Sequence, residues 1–106
     1  MHPTARLLQS ARLTLFTRVN CSLCDTAKHT LSTLRAKKPF AYSEVDVMIP
    51  QNKVWKDVYE FDVPVLHIQK VTPASSDGTD TLSDPKKLFH RFTEQEVEKA
   101  IEDAME

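Results

Sequence analysis

The hydrophobic period of this chain changes at one point, and that point holds its only two cysteines. Upstream, Leu13, Leu15 and Phe16 lie in the run LTLFTRV, bounded by Asn20, which reads as a buried strand. Downstream, Ala27, Leu31 and Leu34 recur at spacings of four and three residues, one face of a helix. Between the two stands Cys21-Ser22-Leu23-Cys24. A strand that runs straight into a helix has to bury both against a shared core, which points to an α/β chain.

The remaining elements follow from the same signals. Arg35, Lys37 and Lys38 suit the C-terminus of the first helix, and Pro39 stops it. Phe40 to Ile49 reads as a second strand closed by Pro50. Asn52 is placed to cap a short helix that would turn Val54, Trp55 and Val58 inward. Asp62 leads into the β-branched run VPVLHI, a third strand with Pro64 near its start. Thr72 to Lys87 is polar, contains the single glycine, and reads as a long mobile loop. Leu88 to Phe92 is a fourth strand with Leu88, His90 and Phe92 on one face. Thr93 and Glu96 form a capping box for the last helix, with Phe92 and Val97 in staple positions and Val97, Ala100, Ile101 and Ala104 facing inward. The expected order is β-α-β-α-β-β-α, a four-stranded mixed sheet with helices on its faces. A right-handed crossover makes the first two strands parallel, and the last two form a hairpin.

Charge and composition narrow the function. At 106 residues the chain is long enough for one core. Residues 1–12 are expected to be a short arm or a transit segment, with the domain over 13–106. Arg6, Arg12 and Arg18 precede the first acid, Asp25, which is the pattern of a mitochondrial import signal. Fourteen basic against fifteen acidic residues leave a net charge of -1, which argues against nucleic acid as a partner. No apolar run is long enough to span a bilayer, no secretory h-region is visible, and one glycine excludes a Gly-rich phosphate loop. The expectation is a monomer in the cytoplasm, or in mitochondria if the arm is an import signal.

Two cysteines three positions apart in such a chain are either redox-active or metal-binding. Cys21 falls just before or in the first helical turn, where free N–H groups and the helix dipole favour a thiolate. Arg18 adds positive charge three residues upstream, and Asp25 opposes it. Cys24, one turn along, is close enough to close a disulfide after Cys21 has attacked.

The segment CSLC after the first strand, together with VPV opening the third, resembles the thioredoxin superfamily, and within it the glutaredoxin-like proteins. The resemblance runs from about Leu13 onward. It implies a thioredoxin-like, glutaredoxin-like three-layer sandwich and a thiol–disulfide oxidoreductase. It also implies that Cys21 is the nucleophile, that Cys24 resolves the mixed disulfide, and that Pro64 follows a cis bond. Val63 would offer backbone groups to the substrate, and Arg18 matches a basic residue that many glutaredoxins carry at this spacing. The implied partner is a disulfide-containing protein or glutathione. Glutathione would serve as co-substrate, with no bound cofactor and no metal.

Three features differ from ordinary glutaredoxins. Ser22-Leu23 replaces a dipeptide that contains proline, and the loop between the last two strands is long. Phe92-Thr93-Glu94-Gln95-Glu96 stands where a Gly-Gly turn and helix cap receive a glutathione carboxylate. There the capping box uses the helix donors, and two carboxylates oppose an anion.

Two other functions fit the same residues. A thioredoxin-fold module could hold a partner peptide beside Pro64 without chemistry. A metal site could use Cys21, Cys24 and His29, with His67 or His90 as a fourth ligand, and the resemblance also allows a glutathione-ligated iron–sulfur cluster bridging two chains through Cys21 of each. Otherwise His67 and His90 read as structural, Trp55 and Tyr59 as core, and Lys53 and Lys56 as a solvated face.

Overall fold

Alternation along the first strand sorts its side chains onto two faces, and the rest of the molecule is built on that division. The computed structural model describes residues 11–72 and 81–105. In chain order these form β1 (Ala11–Thr17), α1 (Ser22–Lys37), β2 (Ala41–Asp46), a 3-10 turn (Pro50–Asn52), α2 (Lys53–Tyr59), β3 (Val65–Thr72), β4 (Thr81–Leu82), β5 (Lys86–Phe89) and α3 (Glu94–Met105). The strands line up as β2-β1-β3, with β4 and β5 both along the outer edge of β3. β1 and β2 are parallel, as the crossover through α1 requires, and β1 and β3 are antiparallel.

On one face Leu13 and Leu15 of β1 meet Leu66 and Ile68 of β3. They pack against Ala27, Leu31 and Leu34 of α1 and Val97, Ala100 and Ile101 of α3. On the other face Phe16, Val47, Tyr59 and Val65 form a second cluster, with Val45 and Trp55 packed against it. The result is three layers: α1 and α3, the sheet, and α2. The α/β thioredoxin-like architecture expected from the sequence is the one observed.

Four details differ from the expectation. First, α2 turns Trp55 and Tyr59 inward as expected, but Val54 and Val58, expected inward too, face outward at 72% and 55% exposure. The expected phase assumed that Asn52 caps the helix. Its side chain instead donates to the Asp46 carbonyl at 2.9 Å, and α2 has no side-chain cap. With that constraint gone, two aromatics four residues apart bury more apolar surface than two valines.

Second, β2 is shorter than Phe40–Ile49. Asp46 ends it by accepting the Met48 N–H on Oδ1 at 2.9 Å, an Asx turn that sends Val47 into the core.

Third, the segment expected to be one long loop is partly paired. Thr72 belongs to β3, and Thr81, Leu82, Lys86 and Lys87 lie in strands. Residues 73–80 of the expected mobile loop lie outside the described residues. Val71 pairs with Leu82 and Ile68 with Lys86, so three steps along β3 match four on the outer strand. The extra residue is a bulge at Asp84-Pro85, where proline has no N–H to give. Ser83 holds it, its N–H donating to Lys70 O at 3.0 Å and its Oγ accepting Lys70 N–H at 2.9 Å. The expected fourth strand position is therefore filled by two short strands.

Fourth, β5 stops at Phe89 rather than Phe92, because His90 adopts a left-handed backbone, φ 64°. The last helix follows the sequence closely. Thr93 N–H donates to Glu96 Oε1 at 2.9 Å, and Glu96 N–H donates to Thr93 Oγ1 at 3.1 Å.

Candidate active site

Phe16 stands opposite Val65 in the β1–β3 ladder. The segment leaving β1 and the segment entering β3 therefore meet at one end of the sheet. The first carries Arg18 to Cys24 and the second Val63-Pro64.

Asn20 makes the turn out of β1 with φ 58°, a left-handed conformation that Asn tolerates better than most residues. Cys21 follows as the N-cap of α1 in an extended conformation, and its Sγ accepts the N–H of Cys24 at 3.1 Å. A sulfur thus fills the role that a Ser or Asp oxygen plays in most helices. The Cα atoms of Cys21 and Cys24 are 5.2 Å apart, and the two sulfurs are joined as a disulfide. Cys24 is fully buried, whereas Cys21 is half-buried. Only one end of the pair meets solvent.

Val63 and Pro64 are joined by a cis peptide bond, as the sequence resemblance implied. The Val63 N–H donates to Tyr59 O at 3.2 Å, and Pro64 O accepts the His90 N–H at 2.8 Å. Arg18 does not stand free beside the sulfur. Its guanidinium donates to the Glu60 carbonyl at 3.3 Å, tying the loop after β1 to the turn that precedes Val63. Leu23 and Ala27 of α1 and His90, Arg91 and Phe92 border a groove beside the cysteine pair.

The histidines do not converge. His29 is exposed on α1. His90 has its Nε2 3.9 Å from Asp62 Oδ1. His67 is buried under α2, its Nε2 2.7 Å from the Tyr59 hydroxyl and its ring edge-on to Phe16. Burial pushes its imidazole below the ordinary histidine range, and Lys87, paired with it across the strands, pushes the same way. Among the described residues no group of three or more His, Cys, Asp or Glu side chains is gathered as a metal ion needs. The four-ligand set considered from the sequence is not assembled. The sequence reads Tyr59 as core and His67 as structural, but nothing in the spacing pairs the two. With Tyr59 turned inward, a polar partner on β3 becomes necessary.

No helix among the described residues is long and apolar enough to cross a membrane. Comparison with solved structures shows the fold. A thioredoxin variant from Halobacterium salinarum superposes with a TM-score of 0.62 at 19% identity, covering 96% of this chain and 80% of that one. A Plasmodium falciparum thioredoxin gives 0.60 at 15% identity, covering 91% and 72%. Oxidised thioredoxin O2 from Arabidopsis thaliana gives 0.59 at 16% identity, covering 95% and 85%. The family profile of the glutaredoxin-like domain (DUF836) matches residues 12–102. With a disulfide-capable Cys-x-x-Cys pair capping the first helix of a thioredoxin-like fold, the chain belongs to the glutaredoxin-like domain family.

Proposed function

We propose that the protein is a thiol–disulfide oxidoreductase in which Cys21 attacks and Cys24 resolves. The observation that carries this reading is the Cys24 N–H held on Cys21 Sγ at the start of a 16-residue helix. In the reduced protein that donor and the helix dipole both favour a thiolate at Cys21. The thiolate attacks one sulfur of a substrate disulfide, a Cys21–substrate disulfide forms, and the other substrate sulfur leaves as a thiolate. Cys24 then gives up its proton and attacks Cys21 Sγ. The substrate thiolate departs, and two electrons have passed from the dithiol to the substrate. The resulting Cys21–Cys24 disulfide is the oxidised state seen here. A thiol reductant, either two glutathione molecules or a protein dithiol, restores the pair.

Val63 and Pro64 are proposed to position the substrate and Arg18 to hold the loop that carries Cys21. Glutathione is the less favoured substrate. The capping box occupies donors at the start of α3, and Glu94 and Glu96 place negative charge there. The cycle requires a compartment with a reducing thiol pool.

The test is reduction of a small glutathione mixed disulfide and of a protein disulfide, wild type against Cys21→Ser. Turnover by wild type alone supports the reading. Equal turnover by the variant removes Cys21 from the mechanism, and no turnover of either substrate favours a binding module on the same fold.

A further inference from the structure

The backbone beside Cys21 gives a substrate little to be recognised by. Val63 N–H donates to Tyr59 O at 3.2 Å, Pro64 has no N–H, and the Pro64 carbonyl accepts the His90 N–H at 2.8 Å. Of these peptide groups, the Val63 carbonyl alone has no backbone partner among the described residues. A segment held through one main-chain bond carries no side-chain information, so discrimination between substrates falls to the side chains around it.

Those side chains form a groove on the α3 side of the cysteine pair. Leu23, which stands between the two cysteines, makes one wall with Thr26 and Ala27. His90, Arg91 and Phe92 make the other. The second wall is fastened to the site, because its His90 N–H is the one held by Pro64 O. Ala27 and Phe92 are buried, so the floor is apolar. The rim is basic: His90 and Arg91 border the groove, and no acidic residue does. Phe89 O accepts the Arg91 N–H at 2.7 Å across His90, whose φ is 64°. A three-residue turn through a left-handed histidine is strained, and it sets the direction in which Arg91 leaves the chain.

His90 faces Asp62 at 3.9 Å, whereas Arg91 makes no ion pair with another described residue. The acids that follow it are engaged elsewhere, Glu94 with Lys37 at 3.0 Å and Glu96 with the Thr93 N–H at 2.9 Å. A second cleft, next to Asn20 and Asp25, has the opposite balance. There Asp25, Glu44 and Asp46 stand against Arg18 and Lys28.

We infer that Arg91 pairs with an acidic side chain close to the substrate cysteine, in a protein segment whose neighbouring apolar side chain enters the groove over Ala27 and Phe92. This rests on the oxidoreductase reading and names its class of substrate. A carboxylate is attracted on the Arg91 side and repelled on the Asp25 side, so the charges also set how the segment lies. Glutathione supplies carboxylates but no apolar side chain for the floor.

The experiment uses three peptides of equal length, each with leucine beside a serine that replaces the reacting cysteine, so that no exchange is involved. Two positions to either side of that serine they carry glutamate, glutamine or lysine. Fluorescence anisotropy measures their affinity for the oxidised protein. Wild type is expected to bind the glutamate peptide about fivefold more tightly than the glutamine peptide. Arg91→Gln should bring that ratio to near one, and Arg91→Glu should move the preference to lysine. A large excess of S-methylglutathione should leave the bound peptide in place. Arg91 is exposed, and thermal melting checks that both variants remain folded. Equal affinity of wild type for the glutamate and glutamine peptides, or a preference that both variants keep, overturns the proposal. Displacement by S-methylglutathione overturns it too, because the groove would then belong to the tripeptide. The glutamate and glutamine peptides with cysteine restored, as mixed disulfides, test the chemistry separately. Preference without turnover would remove the oxidoreductase reading and leave Arg91 as the selecting residue, and turnover without preference would do the reverse.

Discussion

The amide of Cys24 donates to the Sγ of Cys21 at 3.1 Å, and Cys24 itself is sealed from solvent. One sulfur therefore has an amide donor and is reachable, and the other is sealed from solvent. In the reduced protein Cys21 should react with iodoacetamide at neutral pH at least about tenfold faster than Cys24. Mass spectrometry of partly alkylated protein reads the ratio. Equal labelling would mean that the N-cap geometry does not govern reactivity.

The order of attack makes a second outcome specific. Cys24→Ser should accumulate a covalent adduct with a disulfide substrate through Cys21, visible on a non-reducing gel and removed by dithiothreitol. Cys21→Ser should form none. An adduct on Cys24 in the second variant would reverse the assigned roles.

The buried Tyr59–His67 hydrogen bond gives a stability prediction with a sign. His67 has its pKa lowered in the fold by burial and then by Lys87. Above pH about 6.5 the imidazole is neutral in both folded and unfolded chains, and its contribution is complete. As the pH falls below that value the unfolded chain takes up the proton first, so stability is lost on acidification through the folded pKa. His67→Gln should flatten this part of the pH–stability curve. Tyr59→Phe should cost about 1–2 kcal/mol, because it strands a buried ring nitrogen. Urea unfolding from pH 5 to 8 measures both.

The start of α3 offers a test of glutathione as reductant. Glu94→Gln/Glu96→Gln keeps a capping box, since glutamine serves at that position, but removes two negative charges. The KM for glutathione should fall by about two- to fivefold, the size of a helix-terminus charge effect. An unchanged KM would mean that the glutathione carboxylates bind elsewhere. Thr93→Ala should cost about 1 kcal/mol of stability by breaking the box.

Much of this was readable from residues alone, and the reasons are uneven. α3 was legible because its signals are local: Thr93 and Glu96 specify its start within four residues. The cysteine pair was legible because the change of period around it fixes a strand-to-helix junction. The rotation of α2 was not. It depends on which side chains Phe16 and His67 present from strands distant in sequence, and a seven-residue helix carries too little pattern to choose. The split outer strand was hidden for a related reason. Lys86 and Lys87 look like loop residues, and only β3 makes them a strand. Arg18 reads as a candidate site residue from its spacing to Cys21, but its partner in the structure, a backbone carbonyl at Glu60, leaves no mark in the sequence.

The break at Asp84-Pro85 has a consequence for the molecule's behaviour in a crowded solution. A sheet ends in a row of unpaired amides and carbonyls that invites a strand from another chain. Here that margin is interrupted by a bulge, holds a proline that cannot donate, and is followed by two exposed lysines. An incoming strand would find its register broken after a few residues and two positive charges beside it. The same irregularity that hid the strand from its sequence guards this side of the protein against fibril growth.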